Sequence, residues 1–175
     1  GDWHERVAAA ESAYFDWMPV RRSDDTLHPN KTYRSFNMGN LVDLFVLDTR
    51  IDDRTKQLDY LAANWDDTSR HIISLTQRNW LFEGLKNSTA QWKIIGQQVM
   101  LSPLTAVGVP INDDQWARYP QDQKAVLQFL RDSIANNKVI LTGDIHSSWA
   151  NDVATPSYDA GAHTGSAAVE FVGPS

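Results

Sequence analysis

Val139-Ile140-Leu141-Thr142 is an apolar and β-branched run that leads directly into Gly143-Asp144-Ile145-His146-Ser147-Ser148. A strand that reads as a near-continuous apolar run is one covered on both faces, the usual state of strands in parallel sheets. Glycine lets the chain leave such a strand and set its next side chains at the open edge of the sheet, where α/β proteins bind ligands. Asp144 and His146 are two apart, so in an extended backbone their side chains leave on the same side. A carboxylate oxygen and an imidazole nitrogen converging there make half of a metal site. The same residues also suit a β-turn, with Asp144 capping a loop and His146 on the surface.

A second run of the same kind, Leu41-Val42-Asp43-Leu44-Phe45-Val46-Leu47, ends in Asp48-Thr49-Arg50. It follows a β-rich segment, Tyr33 to Met38, across Gly39-Asn40, a good hairpin signal. Before it, Val7, Ala8, Ala10, Ala13, Tyr14 and Trp17 recur at helical spacing, predicting a helix over 5–17 that ends at Pro19. Residues 21–32 and 51–67 read as polar loops. Thr68 or Ser69 is the expected cap of a helix running to Leu85, with Leu75, Trp80, Leu81 and Leu85 inward. A strand over 92–100 follows, then a long loop carrying Gly108 and Pro110. A second helix is expected over 121–136, with Ala125, Val126, Phe129, Leu130 and Ile134 inward. After His146 the chain reads as loose, with Pro156, Gly161 and Gly165, and regains strand character at 167–172. Strands alternating with helices, with an antiparallel hairpin at one side, predict an α/β fold.

Composition excludes several functions. A net charge of −6 argues against a nucleic-acid surface. With no cysteine, disulfides and thiolate-bound zinc are ruled out within the chain. No apolar run nears the roughly 18 residues of a membrane span, and no signal peptide is visible. The seven tryptophans are scattered, which disfavours a repeat architecture.

Taken in order, the segments resemble the PhoD-like alkaline phosphatases, a branch of the metallophosphatases. The resemblance is carried by residues 1–21, ending in Met18-Pro19-Val20-Arg21, and by Tyr33-Arg34-Ser35-Phe36 through Leu47-Asp48-Thr49-Arg50. It continues in Gln77 with Trp80-Leu81, in Trp92-Lys93 through Gln97-Gln98-Val99-Met100, in 143–148, and in Val169-Glu170-Phe171-Val172-Gly173. It implies a layered metallophosphatase-like sandwich of mixed sheets flanked by helices, incomplete in this chain, so that 1–175 is part of a catalytic domain. It also implies phosphate monoester or diester hydrolysis at a metal cluster, with iron and calcium the ions of relatives, and an extracellular or periplasmic location. Carried over residue by residue, Asp144 and His146 become metal ligands and catalytic residues. Arg21 and Arg50 become candidates to hold the substrate's phosphate, since guanidinium matches phosphate oxygens in a bidentate fork. A structural ion pair is the other reading of each arginine.

Two departures stand out. The family's upstream Gly-Asp and Asp-Asp-His-Glu motifs do not occur here, nor does its segment beyond Ser175. Its Trp-Asp-Gly-Tyr-Pro element appears as Trp116-Ala117-Arg118-Tyr119-Pro120, losing the carboxylate, for which Asp113 or Asp114 is a possible replacement. The isolated chain is therefore expected to hold metal poorly and to hydrolyse phosphate esters little or not at all. A non-catalytic binding or scaffold domain on the same fold is the alternative.

The other titratable groups read as structural. His4, His28, His71 and His163 are expected on the surface, and Asp43 at an edge or satisfied by a partner. The acid pairs Asp24-Asp25, Asp52-Asp53, Asp66-Asp67 and Asp113-Asp114 lack EF-hand spacing and read as solvated loop charge. Ser147 and Ser148 sit in no nucleophile elbow, so Ser147 is expected to cap the loop or to bond a ligand carboxylate.

Overall fold

The computed structural model describes residues 2–59, 61–106, 109–135 and 137–174. Gly1, Tyr60, Val107, Gly108, Asn136 and Ser175, to which the readings above extend, lie outside these residues. Helix α1 (Trp3–Trp17) opens on Asp2, whose carboxylate accepts the His4 N–H, and none of its residues is buried. Strands β1 (Arg34–Met38) and β2 (Val42–Val46) form the expected hairpin. Helix α2 (Leu75–Asn87) starts later than its sequence predicts, because Ser74 is the cap and accepts the Gln77 N–H. Upstream, the Ile72 N–H is drawn to the Asp122 carboxylate instead of a helical carbonyl. Leu81 and Leu85 turn inward as expected, while Leu75, in the first turn, stays 52% exposed.

Strand β3 (Trp92–Gln97) is shorter than expected, and the long loop after it holds a two-residue ladder, β4 (Thr105–Ala106) with β5 (Val109–Pro110), and a 3-10 turn at Trp116–Arg118. Helix α3 (Pro120–Ser133) begins on a proline, which the first helical turn tolerates because its N–H would be unpaired there anyway. Strand β6 (Lys138–Thr142) is the apolar run that leads to Gly143. The segment after His146 corrects the expectation of a loose chain: it is the 11-residue strand β7 (Trp149–Asp159), which turns into β8 (Thr164–Val172). Pro156 fits because β7 is an edge strand and its pairing with β8 is irregular between Ala154 and Asp159, so no ladder N–H is needed there.

The six strands stand in the order β1-β2-β3-β6-β8-β7, with β2, β3, β6 and β8 parallel and the two edges antiparallel. The chain is thus α/β with a mixed sheet. Helices α2 and α3 share one core with the sheet, built from Leu81, Leu85, Val126 and Leu130 against Phe45, Ile95 and Ile140. Phe82 of α2 stacks on Phe129 of α3 at 3.9 Å, a pairing worth about 0.5–1.5 kcal/mol beyond its buried area. Gly84 allows α2 to lie directly on β2, since a Cβ there would come within 2.4 Å of the Phe45 ring. Among the described residues no helix is long and apolar enough to cross a membrane.

The opposite face of the sheet is apolar as well. Phe36 pairs with Leu44, and Leu141 with Phe171, yet Phe36, Leu141 and Phe171 are each about half exposed. Alternate residues of β2, β3 and β6 on this face are Leu44, Ile94 and Val139, so the strands carry the two-sided apolar pattern of a covered sheet. An apolar face this wide drives association. The isolated chain is expected to bind a hydrophobic dye such as ANS and to self-associate in analytical ultracentrifugation. The double change Leu141→Thr and Phe171→Thr should lower both, while shifting stability by less than about 1 kcal/mol. Dye binding unchanged in that variant would contradict the reading of this face.

Candidate functional site

The parallel strands β2, β3, β6 and β8 all point the same way, so their carboxyl ends form one edge of the sheet. Asp48-Thr49-Arg50 follows β2 at that edge, Gln98 to Ser102 follows β3, and Gly143-Asp144-Ile145-His146 follows β6. Beneath them lies Glu170 of β8, fully buried. Its carboxylate accepts the N–H groups of Leu101 and Ser102 and the Thr142 hydroxyl, each at 2.8 Å, and the Gln97 amide at 3.4 Å. Burial makes an unsatisfied carboxylate expensive, so these donors are what allow Glu170 to sit there. Gln97 passes the constraint on, accepting the indole N–H of the buried Trp116. The sequence signal for this role is a single charge inside an apolar strand. Nothing in the spacing says which donors it meets.

Two glutamines hold the turn after β2. Gln77 of α2 accepts the Asp48 N–H at 2.8 Å and donates to the Asp48 carbonyl at 3.0 Å. Gln98 accepts the Thr49 N–H and hydroxyl at 2.8 and 2.7 Å and donates to the Leu47 carbonyl at 2.7 Å. Asp48 caps the turn itself, its Oδ1 accepting the Arg50 and Ile51 N–H groups. The backbone beneath Arg50 is therefore fixed on three sides.

From there Arg50 spans two carboxylates. Its Nη1 pairs with Asp114, and its Nη2 lies 2.8 Å from Asp144 Oδ1. Asp114 also takes Arg54 Nη2 at 2.6 Å. Arg54 is only 8% exposed in its side chain, donates to Tyr119 Oη and the Thr49 carbonyl, and lies over the Tyr119 ring. The Asp114 backbone is tied to the Asn112 side chain at both its N–H and its carbonyl. Burial pushes the Asp114 carboxyl up, but hydrogen bonds from Arg50 and Arg54 outweigh this and hold it below its ordinary range. For Arg50, burial acts to lower the guanidinium, and the Asp114 and Asp144 charges outweigh that and raise it.

Asp144 and His146 stand exposed at this edge, and of the two backbones read from the sequence the turn forms and the extended one does not. Both adopt left-handed conformations, φ 71° and 59°, so the alternation argument for their side chains does not apply. Each such residue costs about 1–3 kcal/mol, and such strain gathers at functional sites. The Ser147 hydroxyl turns back on its own loop, between the Ile145 carbonyl and the Trp149 indole. Arg21 is exposed, with its carbonyl bound by Arg34, and lines a cleft along β1. Arg50 lines a different one; the two clefts share Tyr14, Thr32 and Val46 as walls. Among the described residues no three or more of His, Asp and Glu gather as an ion would require.

The acid pairs are not uniformly solvated, which corrects their reading as loop charge. Asp52 accepts the Ser74 hydroxyl and the Gln77 amide, and Asp114 is the counter-charge of two arginines. His71 is likewise not a plain surface group, since it lies half-buried 3.5 Å from the buried Asp122. Asp43 is satisfied by Asn37 and Ser88, as expected.

Replacing Asp114 with Ala leaves Arg54 nearly buried without its counter-charge. We expect a loss of about 1–3 kcal/mol in urea denaturation at neutral pH. Because the folded carboxyl titrates below its unfolded value, its contribution is present above the usual carboxylate range and lost as pH falls through the folded one. The gap between wild type and Asp114→Ala should therefore narrow on acidification. A constant gap would contradict the pairing.

The family model described as PhoD-like phosphatase matches residues 1–175. Alkaline phosphatase D of Bacillus subtilis (strain 168) is 36% identical over 157 residues, covering 85% of this chain and 27% of that protein. A solved structure described as "Structure of PhoD" superposes with a TM-score of 0.76 at 34% identity, over 97% of this chain and 34% of that one. The chain thus spans about a third or less of the relatives it matches. The ordered motifs, the sheet they build and a match along the full length agree, and the chain belongs to the PhoD-like phosphatase family.

Proposed function

We propose that this chain is part of a metal-dependent phosphoesterase that acts on phosphate monoesters or diesters, with Arg50 holding the phosphoryl group beside Asp144 and His146. The observation that carries the reading is Arg50, braced by Asp114 and set against Asp144 at the carboxyl edge of a parallel sheet. Ligands bind at such edges in α/β folds. Arg50 keeps over a third of its side chain accessible, and a guanidinium matches phosphate oxygens two at a time. In the resting arrangement Asp144 stands where an anionic substrate oxygen would lie, so substrate would exchange one oxyanion for another on Arg50 Nη2. Arg21, on the neighbouring cleft, would add to the positive field around it.

Asp144 and His146 fit an ion as two donors of a larger set: a hard carboxylate oxygen and an imidazole nitrogen, both exposed at one edge. Iron with calcium is the proposed pair. Such ions, when bound, polarise phosphoryl oxygens and lower the pKa of attacking water. The chain's own part is to present the two donors, to orient phosphate through Arg50, and to hold Arg50 still through Asp114 and Arg54. The proposed setting is extracellular or periplasmic. The Arg50–Asp144 contact also suits a second reading, a binding domain on the same fold that does not react, and binding and turnover separate the two.

Isothermal titration of the chain with Fe(III) and Ca(II) should show weak binding, reduced about tenfold or more (~1.4 kcal/mol) by Asp144→Asn or His146→Ala. Turnover of nitrophenyl phosphate by the isolated chain should be slight. Binding that ignores both substitutions would remove these residues from the metal site. Inorganic phosphate binding, followed by phosphorus NMR, should fall about tenfold or more in Arg50→Ala and recover only partly in Arg50→Lys, which keeps the charge but not the fork. Equal binding by Lys and Arg would leave charge alone as the explanation.

A further inference from the structure

We infer that the cavity between α1 and the carboxyl end of β2 receives the alcohol portion of the substrate, and that the chain is built for phosphate esters of small, uncharged, aromatic or apolar alcohols. This rests on the phosphoesterase reading above. The cavity has a volume of about 260 Å³. Ala10 and Tyr14 of α1 form one wall, and Val46, Leu47 and Ile51 the other. Arg50 lines it too, so the residue that pairs with Asp144 also borders the cavity. A phosphoryl group held by Arg50 would have its ester substituent within reach of an apolar chamber.

Size and polarity narrow the substituent. Pockets for drug-sized molecules run from about 300 to 1,000 Å³, so this one suits a single ring or a short branched chain better than a nucleoside. The polar groups at its rim already have partners. Glu11 accepts the Asn30 amide, Thr32 donates to Asp48, and Gln98 is spent on Thr49 and Leu47. A polyhydroxylated alcohol would find only the spare acceptor capacity of the Glu11 and Asp48 carboxylates at the rim, and its hydroxyls against the apolar walls would lack partners, which costs free energy. The carboxylates of Glu11 and Asp48 at the same rim repel a second anionic group, which disfavours polyphosphates and nucleotides.

The test compares inorganic phosphate, phenyl phosphate and benzyl alcohol as ligands of this chain, by calorimetry and saturation-transfer NMR. The variant is Ala10→Phe, which fills the cavity from an exposed helix position, with Ala10→Ile as a smaller filler and circular dichroism to verify the fold. Phenyl phosphate should bind about tenfold or more tightly than inorganic phosphate, and Ala10→Phe should bring the two within about twofold without changing inorganic phosphate. No preference in the wild type, or a preference that survives both fillers, overturns the inference. If inorganic phosphate fails to bind, the reading of Arg50 falls instead, and benzyl alcohol then reads the cavity alone. Binding abolished by Ala10→Phe sustains the cavity as an apolar-alcohol site; no binding overturns it.

Discussion

A carboxylate placed where water cannot reach must be met by donors, and in this protein that requirement organises the carboxyl end of the sheet. Glu170 sits fully buried in β8 and collects two backbone N–H groups from the turn after β3, the Thr142 hydroxyl from β6 and the Gln97 amide from β3. Losing any one of these partners leaves a buried charge short of donors, a larger penalty than an ordinary hydrogen bond is worth. The ends of β3, β6 and β8 are therefore bound to a common point. Trp116 is brought in through Gln97, which anchors the long loop after β3 over the same region. That loop delivers Asp114.

Arg50 depends on this arrangement from two directions. Gln77 and Gln98 hold the backbone of Asp48 and Thr49 just before it, while the loop held through Trp116 supplies Asp114, with Arg54 and Tyr119 behind it. A flexible arginine loses much rotamer freedom when it binds an oxyanion; one already braced loses less. The same bracing keeps Arg50 against Asp144, at a loop whose left-handed residues are themselves strained. This geometry points to one edge of the sheet, which is why the proposed phosphate site, ion donors and alcohol cavity are all placed there.

Much of the fold was legible from periodicity. The hairpin, the three other core strands and the inward faces of α2 and α3 follow from apolar spacing. The errors arose where long-range contacts outweighed local signals. The start of α2 moved because Asp122, 50 residues away, takes the Ile72 N–H. Strand β7 was invisible because Pro156 with Gly161 and Gly165 after it read as loop, although an edge strand with irregular pairing accommodates the proline and the glycines fall in the following turn and in β8. At the site, Asp144, His146 and Arg50 could be named from their place after apolar strands. Asp114 could be named only as one of two candidates, Glu170 was marked only as a charge inside an apolar strand, and Gln77 and Gln98 had no local pattern to mark their roles.

The sequence by itself determined the hairpin, the three helices, strands β3, β6 and β8, and which polar residues follow the apolar strands, because each depends on neighbours within a few positions. Only the tertiary structure decided that Arg50 bridges Asp114 and Asp144, that Arg21 opens on another cleft, and that Asp144 and His146 leave β6 on a left-handed turn. The Arg50 pairing joins segments some 60 to 100 residues apart (Arg50 with Asp114 and Asp144), a range at which residue spacing along the chain carries no information.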